Sequence, residues 1–141
     1  AILTLESLGY ECDFACCIYP ATPFLDTKDL IDALELLKKN DINFVYPITN
    51  YAHPIQRAMR HLSSGKMQFL YPEHENTRTQ DLEETFHDTG QFYWGRRDSW
   101  VNNKLMHSSG IGIHIPNWRV IDIDTIDDWK RAELLYEAIQ I

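Results

Sequence analysis

The sequence predicts an α/β fold whose sheet is mixed and mainly parallel, with helices packed on its faces. Two observations carry that expectation. The first is a strand-helix-strand succession: an apolar run Phe14 to Ile18, a segment with Leu30, Ile31, Leu34 and Leu37 at helical spacing, and a second apolar run Phe44 to Thr49. Such a crossover joins parallel strands with a right-handed connection. The second is Ile115 to Trp129, where Val120, Ile121 and Ile123 are interleaved with Asp122 and Asp124, and Thr125 then offers a helix N-cap with Asp128 three residues on. In an extended strand Asp122 and Asp124 share a face. Paired carboxylates need water, a basic group or a cation beside them, and hard oxygens at a strand end suit Mg²⁺ that keeps several waters. On spacing alone, solvated turn aspartates are the preferred reading of this pair.

A chain of 141 residues holds one domain or a piece of one. Its formal net charge of -8 argues against a nucleic-acid backbone or an anionic membrane as main partner. No apolar stretch approaches a membrane span and no charged leader precedes an apolar run, so the cytoplasm is the expected compartment. Cys12, Cys16 and Cys17 lie in and before an apolar segment and read as small core residues, without a Cys-x-x-Cys pair. The six histidines show no ligand spacing. No G-x-G-x-x-G or Walker pattern occurs, so these residues contain no recognisable phosphate loop.

The elements follow in order. Ile2, Leu3, Leu5 and Leu8 before Gly9 read as the last turns of a helix with a glycine cap, and Phe14 to Ile18 as a strand buried on both faces. Tyr19-Pro-Ala-Thr-Pro-Phe24 is a proline-fixed loop, either a rigid turn or a pocket wall bearing the Thr22 hydroxyl. Asp26 or Thr27 caps the next helix and Asn40 stops it. From Asn50 to Asn76 two readings stay open: a hairpin turning at Ser63-Ser-Gly-Lys66, or a helix ending at Gly65. Arg57, Arg60 and Lys66 make this the most basic stretch, a solvated face or a landing site for an acidic group. Leu82 to Phe86 reads as a short helix, Asp98 to Asn103 as another, and Gly110 to Ile115 as a strand. Between them, Gln91 and Tyr93 share one strand face and Phe92 and Trp94 the other, so one side packs while the other meets a polar ligand. A terminal helix with Trp129, Ala132, Tyr136 and Ile139 on one stripe should cover the sheet.

Five ordered stretches, Cys16-Cys-Ile-Tyr-Pro-Ala-Thr-Pro-Phe24, His53-Pro-Ile-Gln-Arg57, Arg78-Thr-Gln-Asp81, His87-Asp-Thr-Gly-Gln-Phe-Tyr-Trp94 and Asp122-Ile-Asp-Thr-Ile-Asp-Asp-Trp129, together resemble the pseudaminic acid cytidylyltransferases. These sit within the wider group of CMP-sialic acid and CMP-Kdo synthetases. The aspartate stretch marks that group, and Gln-Phe-Tyr-Trp marks the pseudaminic branch. The resemblance implies the C-terminal part of a Rossmann-like nucleotidyltransferase, with residues 1–141 one incomplete domain and 50–76 an inserted dimerisation hairpin. It implies a homodimer that transfers CMP from CTP to a nonulosonic acid, releasing pyrophosphate with Mg²⁺. Asp122 and Asp124 would be the catalytic metal ligands. Tyr19, Thr22, Gln56, Arg57, Arg78, Gln80, Gln91 and Tyr93 would bind substrate. Family members carry an N-terminal strand and a basic loop around the CTP triphosphate, so the expectation is a chain beginning after that region and inactive alone. Tyr19 stands where sialic-acid enzymes show glutamine, which suits a different sugar. The same features leave a sialic acid or Kdo enzyme, or a non-catalytic binding and assembly fragment, as alternatives.

Overall fold

The computed structural model describes residues 1–139. Helix α1 (Ile2–Ser7) ends as the sequence requires: Gly9 takes φ +89, its N–H donates to Glu6 O and the Tyr10 N–H to Leu5 O, which together form a Schellman cap. Strand β1 (Phe14–Ile18) follows, then α2 (Thr27–Lys39), whose N-cap Asp26 accepts from the Lys28 N–H at 2.8 Å. At its other end, Arg96 donates to the carbonyls of Leu37, Asn40 and Ile42, satisfying groups that a helix terminus leaves open. Strand β2 (Phe44–Asn50) comes next.

The Asn50 to Asn76 region resolves as a hairpin of β3 (Met59–His61) and β4 (Met67–Phe69), with Gly65 at φ +81 in its turn. It forms a two-stranded sheet of its own, apart from the main one. Strands β5 (Phe86–Asp88) and β6 (Phe92–Arg96) lead to α3 (Arg97–Val101), β7 (Gly110–His114) and α4 (Ile126–Ile139).

The main sheet corrects the expectation of mainly parallel pairing. β6 lies between β1 and β2 and is antiparallel to both; β5 is antiparallel to β2, and β2 with β7 is the one parallel pair among the described residues. The strand-helix-strand unit is present, yet β1 and β2 are parallel across an inserted antiparallel strand instead of as neighbours. These residues thus form an α/β arrangement whose pairing is mainly antiparallel.

The sheet has two apolar faces. On one, Val45 and Phe92, with Cys16, Trp94 and Ile113, pack against Leu30, Ala33 and Leu37 of α2. On the other, Phe44, Tyr46 and Tyr93 pack with Ile48, Trp100 and Met106. Trp100 approaches so closely that a Cβ at Gly95 would lie 2.5 Å from its indole nitrogen.

Five further expectations need correction. β1 is half-buried and exposed toward its end, not covered on both faces, and Cys17 is accordingly exposed. Leu82–Phe86 is not a helix, because Phe86 pairs with Asn50 and Thr85 O accepts from the Tyr51 N–H. Val120–Asp124 is not a strand: a 3-10 turn at Asn117–Arg119 carries the chain off the sheet. Helix α4 buries Ala132 alone, leaving Trp129, Tyr136 and Ile139 exposed, so its stripe does not cover the sheet. Gln91 and Tyr93 are both buried, at 2% and 6% exposure, so neither presents an open polar face.

Candidate active site

Because β1, β2 and β7 run the same way, their carboxyl ends reach one edge of the sheet, and β6, running oppositely, brings its entry residue Gln91 there too. Loops at such an edge are where open α/β sheets place ligands. Tyr19, Gln91, Asn50 and Ile115 thus become neighbours along this edge despite their separation in sequence.

The first wall is the proline loop. The Tyr19 N–H donates to Gln91 O at 3.0 Å, and the Tyr19 ring lies 5.2 Å from that of Tyr93, centroid to centroid. Thr22 Oγ1 donates to Tyr19 O at 3.3 Å, closing the loop on itself, and Ala21 sits at φ +58. A left-handed alanine is strained by about 1 kcal/mol and persists only where its surroundings impose it. The turn into β6 is held by Asp88, whose Oδ1 accepts from the Gly90 N–H at 2.7 Å while Oδ2 accepts from the Tyr93 hydroxyl at 2.8 Å. His107 Nε2 lies 2.7 Å from the same Oδ2. Burial, then the Asp88 carboxylate, pushes the Tyr93 phenol well above the usual tyrosine range, so it remains a donor.

Gln91 donates through Nε2 to Arg119 O at 2.8 Å, and its buried Oε1 has no protein partner. Thr49 Oγ1 and Thr89 Oγ1 are likewise buried without partners. Unpaired buried acceptors are costly and call for water or ligand.

A hollow of about 390 Å³ opens beyond β2 and is lined by residues including Asn50, Tyr51, Thr79, Gln80, Glu83 and Glu84. Gln80 reaches this hollow. Gln56 donates to Glu83 O at 3.1 Å, whereas Arg57 is spent on Glu75 O at 2.8 Å and Arg78 pairs with Asp81 at 2.9 Å. The structure therefore gathers the expected residues into two groups, Tyr19, Thr22, Gln91 and Tyr93 in one and Gln56 and Gln80 in the other, while Arg57 and Arg78 serve local contacts.

Asp122 and Asp124 are exposed, on the coil between the 3-10 turn and α4. Neither enters an ion pair among the described residues. The capping box after them forms as read: the Asp128 N–H donates to Thr125 Oγ1 at 3.2 Å, and the Thr125 N–H to Asp128 Oδ2 at 3.0 Å. No cluster of three or more His, Cys, Asp or Glu suited to a metal occurs among the described residues. Carboxylate oxygens are nonetheless the hard donors that Mg²⁺ takes, one or two of them with the rest of its octahedron from water and substrate phosphate.

Sequence reading passed over Asp88, Arg119 and Asn50. Asn50 Nδ2 donates to Glu84 and its Oδ1 faces His114 Nε2, and its carbonyl accepts from Asn117 Nδ2 at 3.2 Å. Only the pairing of distant strands brings these groups together, so no local signal announced them.

No family model matches the chain. It is 33% identical over 140 residues to the pseudaminic acid cytidylyltransferase of Campylobacter jejuni serotype O:2, a match that covers 98% of this chain and 60% of that protein. The chain is a homologue of pseudaminic acid cytidylyltransferases. A second such cytidylyltransferase, from C. jejuni serotype O:23/36, is 32% identical over the same 140-residue length. A Helicobacter pylori protein named as both pseudaminic acid cytidylyltransferase and UDP-2,4-diacetamido-2,4,6-trideoxy-beta-L-altropyranose hydrolase is 32% identical over 130 residues, 85% of this chain and 25% of that protein. The chain thus spans 60% of the length of the C. jejuni relatives. Among the described residues no helix is long and apolar enough to cross a membrane.

Proposed function

We propose that this chain is the sugar- and metal-binding part of a cytoplasmic, homodimeric cytidylyltransferase that transfers CMP from CTP to pseudaminic acid and releases pyrophosphate. The observation that carries the reading is similarity to pseudaminic acid cytidylyltransferases along 98% of the chain, which includes the two unpaired aspartates. In the reaction the anomeric hydroxyl of the sugar attacks the α-phosphorus and gives up its proton to solvent, the bond from that phosphorus to the bridging oxygen breaks, and pyrophosphate leaves with that electron pair. Mg²⁺ held by Asp122 and Asp124 would neutralise phosphate charge. The remaining work is positioning. Gln91, buried behind the proline loop with Nε2 on Arg119 O, backs the sugar wall from within, and the Tyr19 ring with Thr22 forms the face against which the sugar's apolar substituents lie.

The basic hairpin region, with Met59, Met67, Leu70 and Tyr71 exposed, is the proposed contact between subunits. The test is a pyrophosphate-release assay on the complete gene product with CTP, Mg²⁺ and, in turn, pseudaminic acid, a sialic acid and Kdo. Turnover greatest with pseudaminic acid is expected; preference for another sugar would reassign the substrate, and turnover with none would leave a binding or assembly role.

A further inference from the structure

The geometry points to Arg119 as a positioning residue that holds the proline loop and the Asp122–Asp124 segment in one arrangement, an inference that rests on the function proposed above. Its guanidinium is 14% exposed and reaches three groups ninety or more residues away: it forms an ion pair with Asp29, which is 18% exposed, it donates to Phe24 O at 3.2 Å, and it lies 4.0 Å from Asp26. Phe24 ends the loop that begins at Tyr19, and Asp26 and Asp29 open α2 behind it. The side chain of Arg119 therefore fixes the far end of the proposed sugar wall.

Its main chain acts on the other side. Arg119 O accepts from Gln91 Nε2 at 2.8 Å, and the Arg119 N–H closes the 3-10 turn onto Pro116 O at 2.9 Å. Three residues later comes Asp122, and no strand ladder supports the interval. The two carboxylates are suspended between fixed points: Arg119 with buried Ile121 on one side, and the Thr125–Asp128 capping box on the other. Where a ladder would have set their place, a single guanidinium nitrogen, Nη2, shared between Phe24 O and Asp29 does so. A lysine keeps the charge but carries it as a compact, strongly hydrated ammonium on a flexible stem, ill suited to the half-buried seat that Nη2 occupies between Asp29 and Phe24 O.

The experiment compares Arg119→Lys and Asp29→Asn with wild type in the complete gene product. Amide hydrogen exchange is followed by mass spectrometry in the peptides spanning residues 20–25 and 120–125, alongside KM for sugar and CTP and the half-saturating Mg²⁺ concentration. Both variants should raise exchange in the two segments together. They should raise the Mg²⁺ midpoint and the sugar KM by about tenfold, the scale for loss of a group that orients metal ligands, with CTP KM changing by less than about twofold. Exchange that rises in one segment only, or in neither, overturns the coupling. A lower melting temperature with unchanged Mg²⁺ midpoint and sugar KM overturns it as well, since that is what a merely structural ion pair would give. Should Arg119→Lys fail to fold, Asp29→Asn, which retains size and leaves the bond to Phe24 O, gives the same reading. A wild-type protein without pyrophosphate release would defeat the proposed transfer reaction, and the exchange data would still decide whether Arg119 couples the two segments.

Discussion

The Tyr93 hydroxyl donates to Asp88 Oδ2 at 2.8 Å, and that carboxylate gathers two further groups, the Gly90 N–H and His107 Nε2. One side chain thereby joins β6, the turn before it and the loop before β7. Replacing Tyr93 by Phe removes a single donor and should cost about 1 kcal/mol. Asp88→Ala strips the acceptor from all three and should cost roughly 2–3 kcal/mol. Urea unfolding checks both: the midpoint should fall with the slope unchanged, in that order of size. Equal losses would mean that the Gly90 and His107 contacts contribute nothing.

Adjacent cysteines should differ in reactivity. Burial pushes the Cys16 thiol up to about 11, whereas Cys17 is exposed. A raised thiol pKa favours the protonated form, so at pH 8 only about 0.1% of Cys16 is thiolate, and its reactivity climbs as pH rises toward its pKa. Iodoacetamide at pH 8 should modify Cys17 first, with Cys16 following only at higher pH or on unfolding. Peptide mass spectrometry over a time course measures this; equal labelling at pH 8 contradicts the burial argument.

What could be read in advance was local. β1, α2 and β2 fall where the apolar periodicity put them, and the Asp26 cap, the Gly9 cap and the Thr125–Asp128 box form as their residue types require. Pairing across the chain was illegible. Phe14 faces Arg96 because β6 enters between two strands that a crossover rule makes neighbours, and nothing near either residue encodes that insertion. The alternation at Val120–Asp124 mimicked a strand, but the turn at Asn117–Arg119 and the bond from Arg119 to Phe24 O lead the chain toward α2. Tyr93 was expected to meet a ligand, and its partner proves to be Asp88, five residues before it across a turn.

Gln91 joins stability to substrate recognition. Truncation to Ala leaves Arg119 O without its donor, and removes the side chain that backs the proposed sugar wall. The variant should lose roughly 1–3 kcal/mol of folding stability and raise the sugar KM more than that of CTP. Denaturation and steady-state kinetics on the same preparation separate the two effects. A variant less stable yet unchanged toward sugar would make Gln91 purely a brace for Arg119, and one altered only toward CTP would place it on the wrong substrate.

Asp124 offers the opposite case, a residue with little to do in folding. It is exposed, outside any strand or helix, and without an ion-pair partner among the described residues, so Asp124→Asn should change stability by less than about 0.5 kcal/mol. Asparagine matches its size and keeps an oxygen ligand but removes the charge that a hard divalent cation requires. Turnover in the complete protein should therefore fall, and the Mg²⁺ concentration for half-maximal rate should rise, with Asp122→Asn showing the same direction. The change belongs in the metal dependence and not in the melting temperature, which is how loss of a ligand differs from loss of a fold. Wild-type turnover at wild-type Mg²⁺ in the Asp124→Asn protein would remove the aspartate from the site and with it the metal assignment.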